Sequence, residues 1–223
     1  MHLPTFAQAL VPLTAPYVFV APGINDGNFQ KAVLNTHNAD RAKHGVPALI
    51  WDNKLAQFAQ NWANNCEFKH SGGPYGENLY GSWTTGSFDF IKQTQSGIHN
   101  GWYDEIKKYD FNKPGFSMET GHFTQMVWKS SKRIGCAWNT NTCKSNGMNF
   151  YKLVCEYDPR GNIVGGNHFK DNVPKPIKKA DAEELEGELD LSSFQEEEIN
   201  PVEQSVQIMV QIMESAESDI VEL

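Results

Sequence analysis

Gly121-His122-Phe123-Thr124-Gln125-Met126-Val127-Trp128 and the two apolar segments after it, Ile134-Gly135-Cys136-Ala137-Trp138 and Phe150-Tyr151-Lys152-Leu153-Val154-Cys155, decide the fold. The two segments are short, and the polar, turn-rich residues 139–149 separate them, which predicts two strands joined as a hairpin. Upstream, residues 107–121 read as a loop around Pro114-Gly115. A helical region precedes it, starting near Ser87 and carrying Phe88, Ile91, Ile98, Trp102 and Ile106, with Gly97 and Gly101 weakening it. Further back the pattern is clearer. Asp52 is an N-cap residue type, and Leu55, Phe58, Ala59, Trp62, Ala63 and Cys66 follow at i, i+3, i+4, i+7, i+8 and i+11, ending before Ser71-Gly72-Gly73-Pro74. The first helix starts at Asn28, repeats Phe29, Val33 and His37 at four-residue spacing, and stops at Gly45 and Pro47. Helices flanking a strand pair, with no strand–helix alternation and no internal repeat, predict the α+β class.

Charge divides the chain of 223 residues. Residues 1–170 hold 16 basic and 12 acidic residues, while residues 171–223 hold 3 basic and 15 acidic, so the net −8 belongs to the C-terminal part. All 6 Trp, 4 Cys and 7 His lie in the first part, which marks it as the folded body. Residues 1–27 are expected to be a loosely ordered or processed leader: Phe6, Leu10, Val11, Val18, Phe19 and Val20 are apolar, but Pro4, Pro12 and Pro16 interrupt them and no basic residue precedes them. Residues 28–170 form one expected domain, and residues 171–223 an acidic extension. Within the extension Val202, Val206, Met209, Met213, Ala216 and Ile220 make an amphipathic stripe over 202–222, read either as a fraying helix or as a partner-binding one. No apolar run reaches the 18 or so residues of a membrane span. A body at +4 without a basic cluster is not a nucleic-acid binder.

Cys66, Cys136, Cys143 and Cys155 contain no C-x-x-C pair, which argues against a thiolate zinc site. Spread over distant elements, they read as a disulfide framework of an oxidising compartment, against four buried free thiols in a cytosolic protein. Of three connectivities, Cys136 with Cys155 would staple the hairpin and Cys66 with Cys143 would tie its loop to the second helix.

Two histidines have surroundings that suggest chemistry. His70 precedes a glycine turn leading to Glu77, and His122 follows the Pro-Gly loop. Two imidazoles and two carboxylates on one cleft would hold a divalent ion with water in the open positions. Spacing leaves the carboxylates undecided among Glu67, Glu77, Glu105 and Glu119, and no H-E-x-x-H is present.

Residues 121–128 with Ile134-Gly135-Cys136, and Tyr151-Lys152-Leu153-Val154-Cys155-Glu156-Tyr157-Asp158-Pro159-Arg160-Gly161-Asn162, resemble the two signature segments of the CAP superfamily of cysteine-rich secretory, venom-allergen and pathogenesis-related class-one proteins. His37-Asn38-x-x-Arg41, Leu49-x-Trp51-Asp52-x-x-Leu55-Ala56 and His70-Ser71-Gly72-Gly73-Pro74-Tyr75-Gly76-Glu77-Asn78-Leu79 add to the resemblance, the last being similar to the fungal branch. The resemblance spans residues 28 to 168 and implies a three-layer α-β-α sandwich, with a His/Glu/Glu/His tetrad on His70, Glu77, Glu105 and His122 that binds zinc or another divalent ion mainly through the histidines. It also implies a sterol- or fatty-acid-binding protein, with the aromatic loop of Tyr109, Phe111, Pro114, Gly115 and Phe116 covering a flat apolar ligand. From the residues alone those aromatics read as packing on the third helix.

The expectation is therefore a secreted lipid binder with no catalytic residue. An effector recognising a host protein or membrane sterol, and a metal-dependent hydrolase using Glu77 or Glu105 as base, are the alternatives.

Overall fold

In the computed structural model, residues 20–177 are described. The amphipathic stripe at 202–222 and most of the leader lie outside them. Among the described residues the strands β1 (Ile50–Trp51), β2 (Gly76–Thr84), β3 (Arg133–Trp138), β4 (Cys143–Ser145) and β5 (Met148–Asp158) form one sheet in the order β1-β3-β5-β2, with β4 also on β5. β1 runs parallel to β3, and every other pairing is antiparallel. The helices are α1 (Gly27–Ala42), α2 (Asn53–Ala63), α3 (Phe90–Ser96), α4 (Gly121–Met126) and α5 (His168–Asn172). A π-helical turn, Gly97–Trp102, and a 3₁₀ stretch, Tyr103–Lys108, continue α3. No described helix is long and apolar enough to cross a membrane.

Strand alternation builds the layers. Ile134, Cys136 and Trp138 of β3 and Leu153, Cys155 and Tyr157 of β5 point to one face, into the main core with Phe29 and Val33 of α1 and with Ile98 and Trp102. Ala137 and Val154 point to the other face and meet Ala59 and Ala63 of α2 with Leu79. Large residues on one side and small ones on the other let α2 lie directly on the sheet, giving the expected α-β-α sandwich. The closest approach is at Gly135, where a Cβ would stand 2.1 Å from Ala56 N.

Local signals start the helices. Asp26 and Asp52 accept from the first backbone amides of α1 and α2. Three residues of the motif His37-Asn38-x-x-Arg41 are structural. Arg41 is buried and donates to the carbonyls of Pro47, Met126, Trp128 and Ser131, so α1 holds the end of α4. Asn38 exchanges hydrogen bonds with both backbone groups of Leu49. Burial pushes His37 down to about 4, so it is neutral, with its ring between Val33 O and Tyr157 Oη.

Several boundaries differ from the sequence reading. α2 ends at Ala63, not Cys66, because Cys66 is exposed with φ 59°, a left-handed conformation that no helix continues through. The third helix starts at Phe90, capped by Asp89, rather than near Ser87. Residues 121–126 form α4, although their short apolar run carries no helical period. The loop 139–149 contains β4, which turns into β5 through Asn146 and Gly147, both with positive φ. β2, nine residues long, has no strand pattern in the sequence. Both expected disulfides form: Cys66–Cys143, and Cys136–Cys155, whose residues are direct cross-strand partners.

Candidate functional site

β2 is an edge strand, and its first residues carry the site. Glu77 is nearly buried and reaches back over the glycine turn: its Oε1 accepts from His70 Nδ1 at 2.6 Å and from Ser71 N at 2.9 Å. Burial works to raise the Glu77 carboxyl, but the hydrogen bonds from His70 and Ser71 and the neighbouring Glu156 carboxyl outweigh it and hold it below its ordinary value. The same bond to Glu77 raises His70, against its burial. With Nδ1–H donated to Glu77, the Nε2 of His70 is the nitrogen left for a ligand.

The second pair has the same form. Glu105, on the 3₁₀ stretch, accepts from His122 Nδ1 at 2.6 Å. Its other oxygen accepts from the backbone amides of His122 at 3.0 Å and Phe123 at 3.1 Å. Those are orphan amides of the first turn of α4, where Thr120 supplies no side-chain cap, so Glu105 caps that helix from a different element. The His122 ring stacks on Trp102, with ring centroids 6.0 Å apart. Asn78, the neighbour of Glu77, joins the two pairs by donating to His122 O at 3.1 Å and to Tyr157 Oη at 3.2 Å.

The four tetrad residues thus stand as two carboxylate–imidazole pairs. Among the described residues no three of His, Cys, Asp and Glu come together as a metal-ligand group. With each carboxylate spent on orienting its ring, the Nε2 atoms of His70 and His122 are the ring nitrogens left open. A cavity of about 180 Å³ beside the first pair is lined by His70, Ser71, Tyr75, Glu77, Gln125 and Arg160 among others, and not by His122 or Glu105. Gln125 was not singled out in the sequence. Its Oε1 accepts from Gly161 N at 2.9 Å, and a Cβ at Gly76 would stand 2.0 Å from that oxygen, so both glycines are required for the loop to close on β2. Glu67 is exposed and pairs with Lys69, and Glu119 with Lys108, which removes both from the open list of carboxylates.

The aromatic loop divides. Tyr109 is buried, and Phe111 packs on the core against Tyr109 and Phe123 with ring centroids 4.9 and 6.2 Å apart. These two are anchors, as their residue types alone suggest. Phe116 is 46% exposed and, with Pro114 and Gly115, faces Val164 and Phe169 across a cavity of about 170 Å³. Val164, 75% exposed, is not among the residues the sequence points to, although it lies two residues beyond the second signature segment.

A model of the cysteine-rich secretory protein family, CAP, matches residues 34–157. Repressed by EFG1 protein 1 of Candida albicans is 44% identical over 165 residues, covering 69% of this chain and 56% of that protein. Protein PRY2 of Saccharomyces cerevisiae is 40% identical over 152 residues, covering 66% of this chain and 41% of that protein. The chain therefore spans about half the length of these relatives. A solved structure titled Crystal structure of NaASP2 with Zn2+ aligns over 70% of this chain and 90% of its own with a TM-score of 0.56, at 21% identity, a likeness of fold alone.

Proposed function

Because the chain belongs to the CAP family of cysteine-rich secretory proteins, we propose that it is a secreted protein that binds a small hydrophobic lipid, of sterol or fatty-acid class, on the loop at Pro114-Gly115-Phe116. The observation that carries this reading is the half-exposed Phe116 ring facing Val164 and Phe169 across an open cavity, on a loop whose other aromatics are locked in the core. Gly121 makes room for that ring, since a Cβ there would lie 3.1 Å from Phe116 Cε2. Micromolar binding needs about 8 kcal/mol. At about 25 cal/mol per Å² that is roughly 330 Å² of apolar surface, before the costs of association are offset. The cavity walls, with the exposed parts of Phe116 and Val164, offer apolar surface toward that area. Two disulfides accord with an oxidising, extracellular compartment.

A divalent cation is the second reading, favoured by the matched pairing of His70 and His122, whose Nδ1 atoms are both held by carboxylates at 2.6 Å. Zinc suits imidazole donors, with water completing the set. Bound there, it would supply a positive charge to the cleft. Hydrolysis is not favoured, because Glu77 and Glu105 each accept hydrogen bonds from a ring and from backbone amides and are poorly placed to act as a base.

Binding of labelled ergosterol and of a labelled fatty acid to the full disulfide-bonded chain tests the first reading, with zinc calorimetry as a second arm. A Pro114→Ala/Phe116→Ala variant is expected to weaken lipid binding at least about tenfold with an unchanged melting temperature, the loss of one well-packed aromatic contact. Unchanged affinity in that variant sinks the loop reading. Zinc uptake that survives His70→Ala with His122→Ala sinks the cation reading.

A further inference from the structure

A cavity of about 350 Å³ opens beside the Cys66–Cys143 disulfide, at the low end of the about 300–1,000 Å³ of small-molecule sites, and shares no lining residue with either cavity above. Its walls are the loop 139–143, Asn149 and Tyr151 of β5, Phe90 of α3, Gly86, and the N-terminal pair Val20 and Ala21. No Asp, Glu, Lys or Arg lines it. Among the described residues the one ammonium in contact with the lining, Lys144 Nζ, is spent on Asn149 Oδ1, and an apolar ligand would strip water from five amide and hydroxyl side chains without replacing it.

The polar groups are already held in place by bonds within the protein. Asn139 is buried and fully used, accepting from Lys152 N at 2.6 Å and donating to Asn141 O and Phe150 O at 3.0 and 3.2 Å. Asn141 donates its amide to Asn64 O at 2.6 Å, and Thr140 donates to Asn64 Oδ1 at 3.3 Å. Asn149 Oδ1 accepts from Lys144 Nζ at 2.6 Å. Among the described residues this leaves Asn141 Oδ1, Asn149 Nδ2 and the Thr142 hydroxyl with capacity to spare. Behind them Tyr151 is half-buried, stacked on Phe88 at 4.2 Å and edge-on to Phe90 at 5.2 Å, a rigid apolar wall. The disulfide clamps the loop through Cys143, so little conformational freedom remains to be lost on binding.

We propose that this cavity is a saccharide-binding site taking an uncharged sugar ring, whose hydroxyls meet Asn141, Thr142 and Asn149 while its C–H face lies on the Tyr151 and Phe90 wall. Neutral amides and hydroxyls beside an aromatic wall match the two surfaces of a pyranose, a rim of donors and acceptors around an apolar face.

The test is amide NMR of the full disulfide-bonded chain titrated with oligomers of β-glucan, α-mannan and chitin, with oligogalacturonate as the charged control. At least one neutral oligomer is expected to shift the Asn141, Thr142, Asn149 and Tyr151 amides saturably, and the charged control is not. Thr142→Val with Asn149→Ala, both at accessible positions, is expected to weaken that binding at least about tenfold while leaving the rest of the spectrum in place. The proposal is overturned if no neutral oligomer moves these amides at millimolar concentration. Equal binding of oligogalacturonate, or full affinity in the double variant, also overturns it.

Discussion

Glu156 stands directly opposite Glu77 in the β2–β5 ladder, fully buried, and no described residue offers either of its oxygens a donor. Two touching carboxyls cannot both be ionised. Burial first, and then the contact with Glu77, pushes Glu156 up to about 10, while Glu77 is held low. One proton therefore sits on Glu156, beside the ionised Glu77 that fixes the His70 ring. An unfolded chain releases that proton above the ordinary glutamate value, so the stability Glu156 contributes is full below about pH 4.5 and is lost as pH rises toward about 10. Glu156→Gln keeps a donor without a titrating group. It is expected to melt roughly 2–8 °C above the parent at pH 8, the shift that about 1–2 kcal/mol produces in a domain of this size, and to lose that advantage near pH 4. Equal melting temperatures across the range would remove the shared proton. The residue types at His70, Glu77, Glu105 and His122 were legible from the signature segments. The proton on Glu156 was not, because it depends on strand register.

Among the elements, β2 shows where sequence period misleads. Gly76, Asn78, Gly81 and Ser82 have low strand propensity, yet the segment pairs with β5 over all nine of its residues, from Gly76↔Tyr157 to Thr84↔Asn149. Cross-strand partners and burial, not local preference, make it a strand. α4 is similar, being a helix of six residues capped from Glu105. α2, by contrast, was legible from its stripe and its Asp52 cap, and its tight seat follows from Gly135. Gly135→Ala would put a methyl group 2.1 Å from Ala56 N and 2.6 Å from Asp52 O, backbone atoms that cannot yield singly. A loss of about 3 kcal/mol or more in denaturant unfolding is expected. A loss below about 1 kcal/mol would mean that α2 lifts from the sheet at small cost.

For the whole molecule, the two disulfides close loops of different length, 77 and 19 residues of sequence separation. In the chain-entropy model these contribute roughly 4–5 and about 3 kcal/mol. Cys66→Ala with Cys143→Ala is therefore expected to lower stability more than any surface substitution and to loosen the loop 139–143. Chemical unfolding of that variant with Cys136–Cys155 intact measures it, and a loss under about 1 kcal/mol would contradict the entropic account. The sequence by itself determined the α+β class, the starts of α1 and α2, the segments of β3 and β5, the cysteine framework and the residue types of the site. These rest on local signals: caps, helical period, apolar runs and ordered motifs. Only the tertiary structure decided that β2 completes the sheet, that Tyr109 and Phe111 are core while Phe116 is free, and that the tetrad is two carboxylate–imidazole pairs. Each of those depends on contacts between residues far apart in the chain, which no local period encodes.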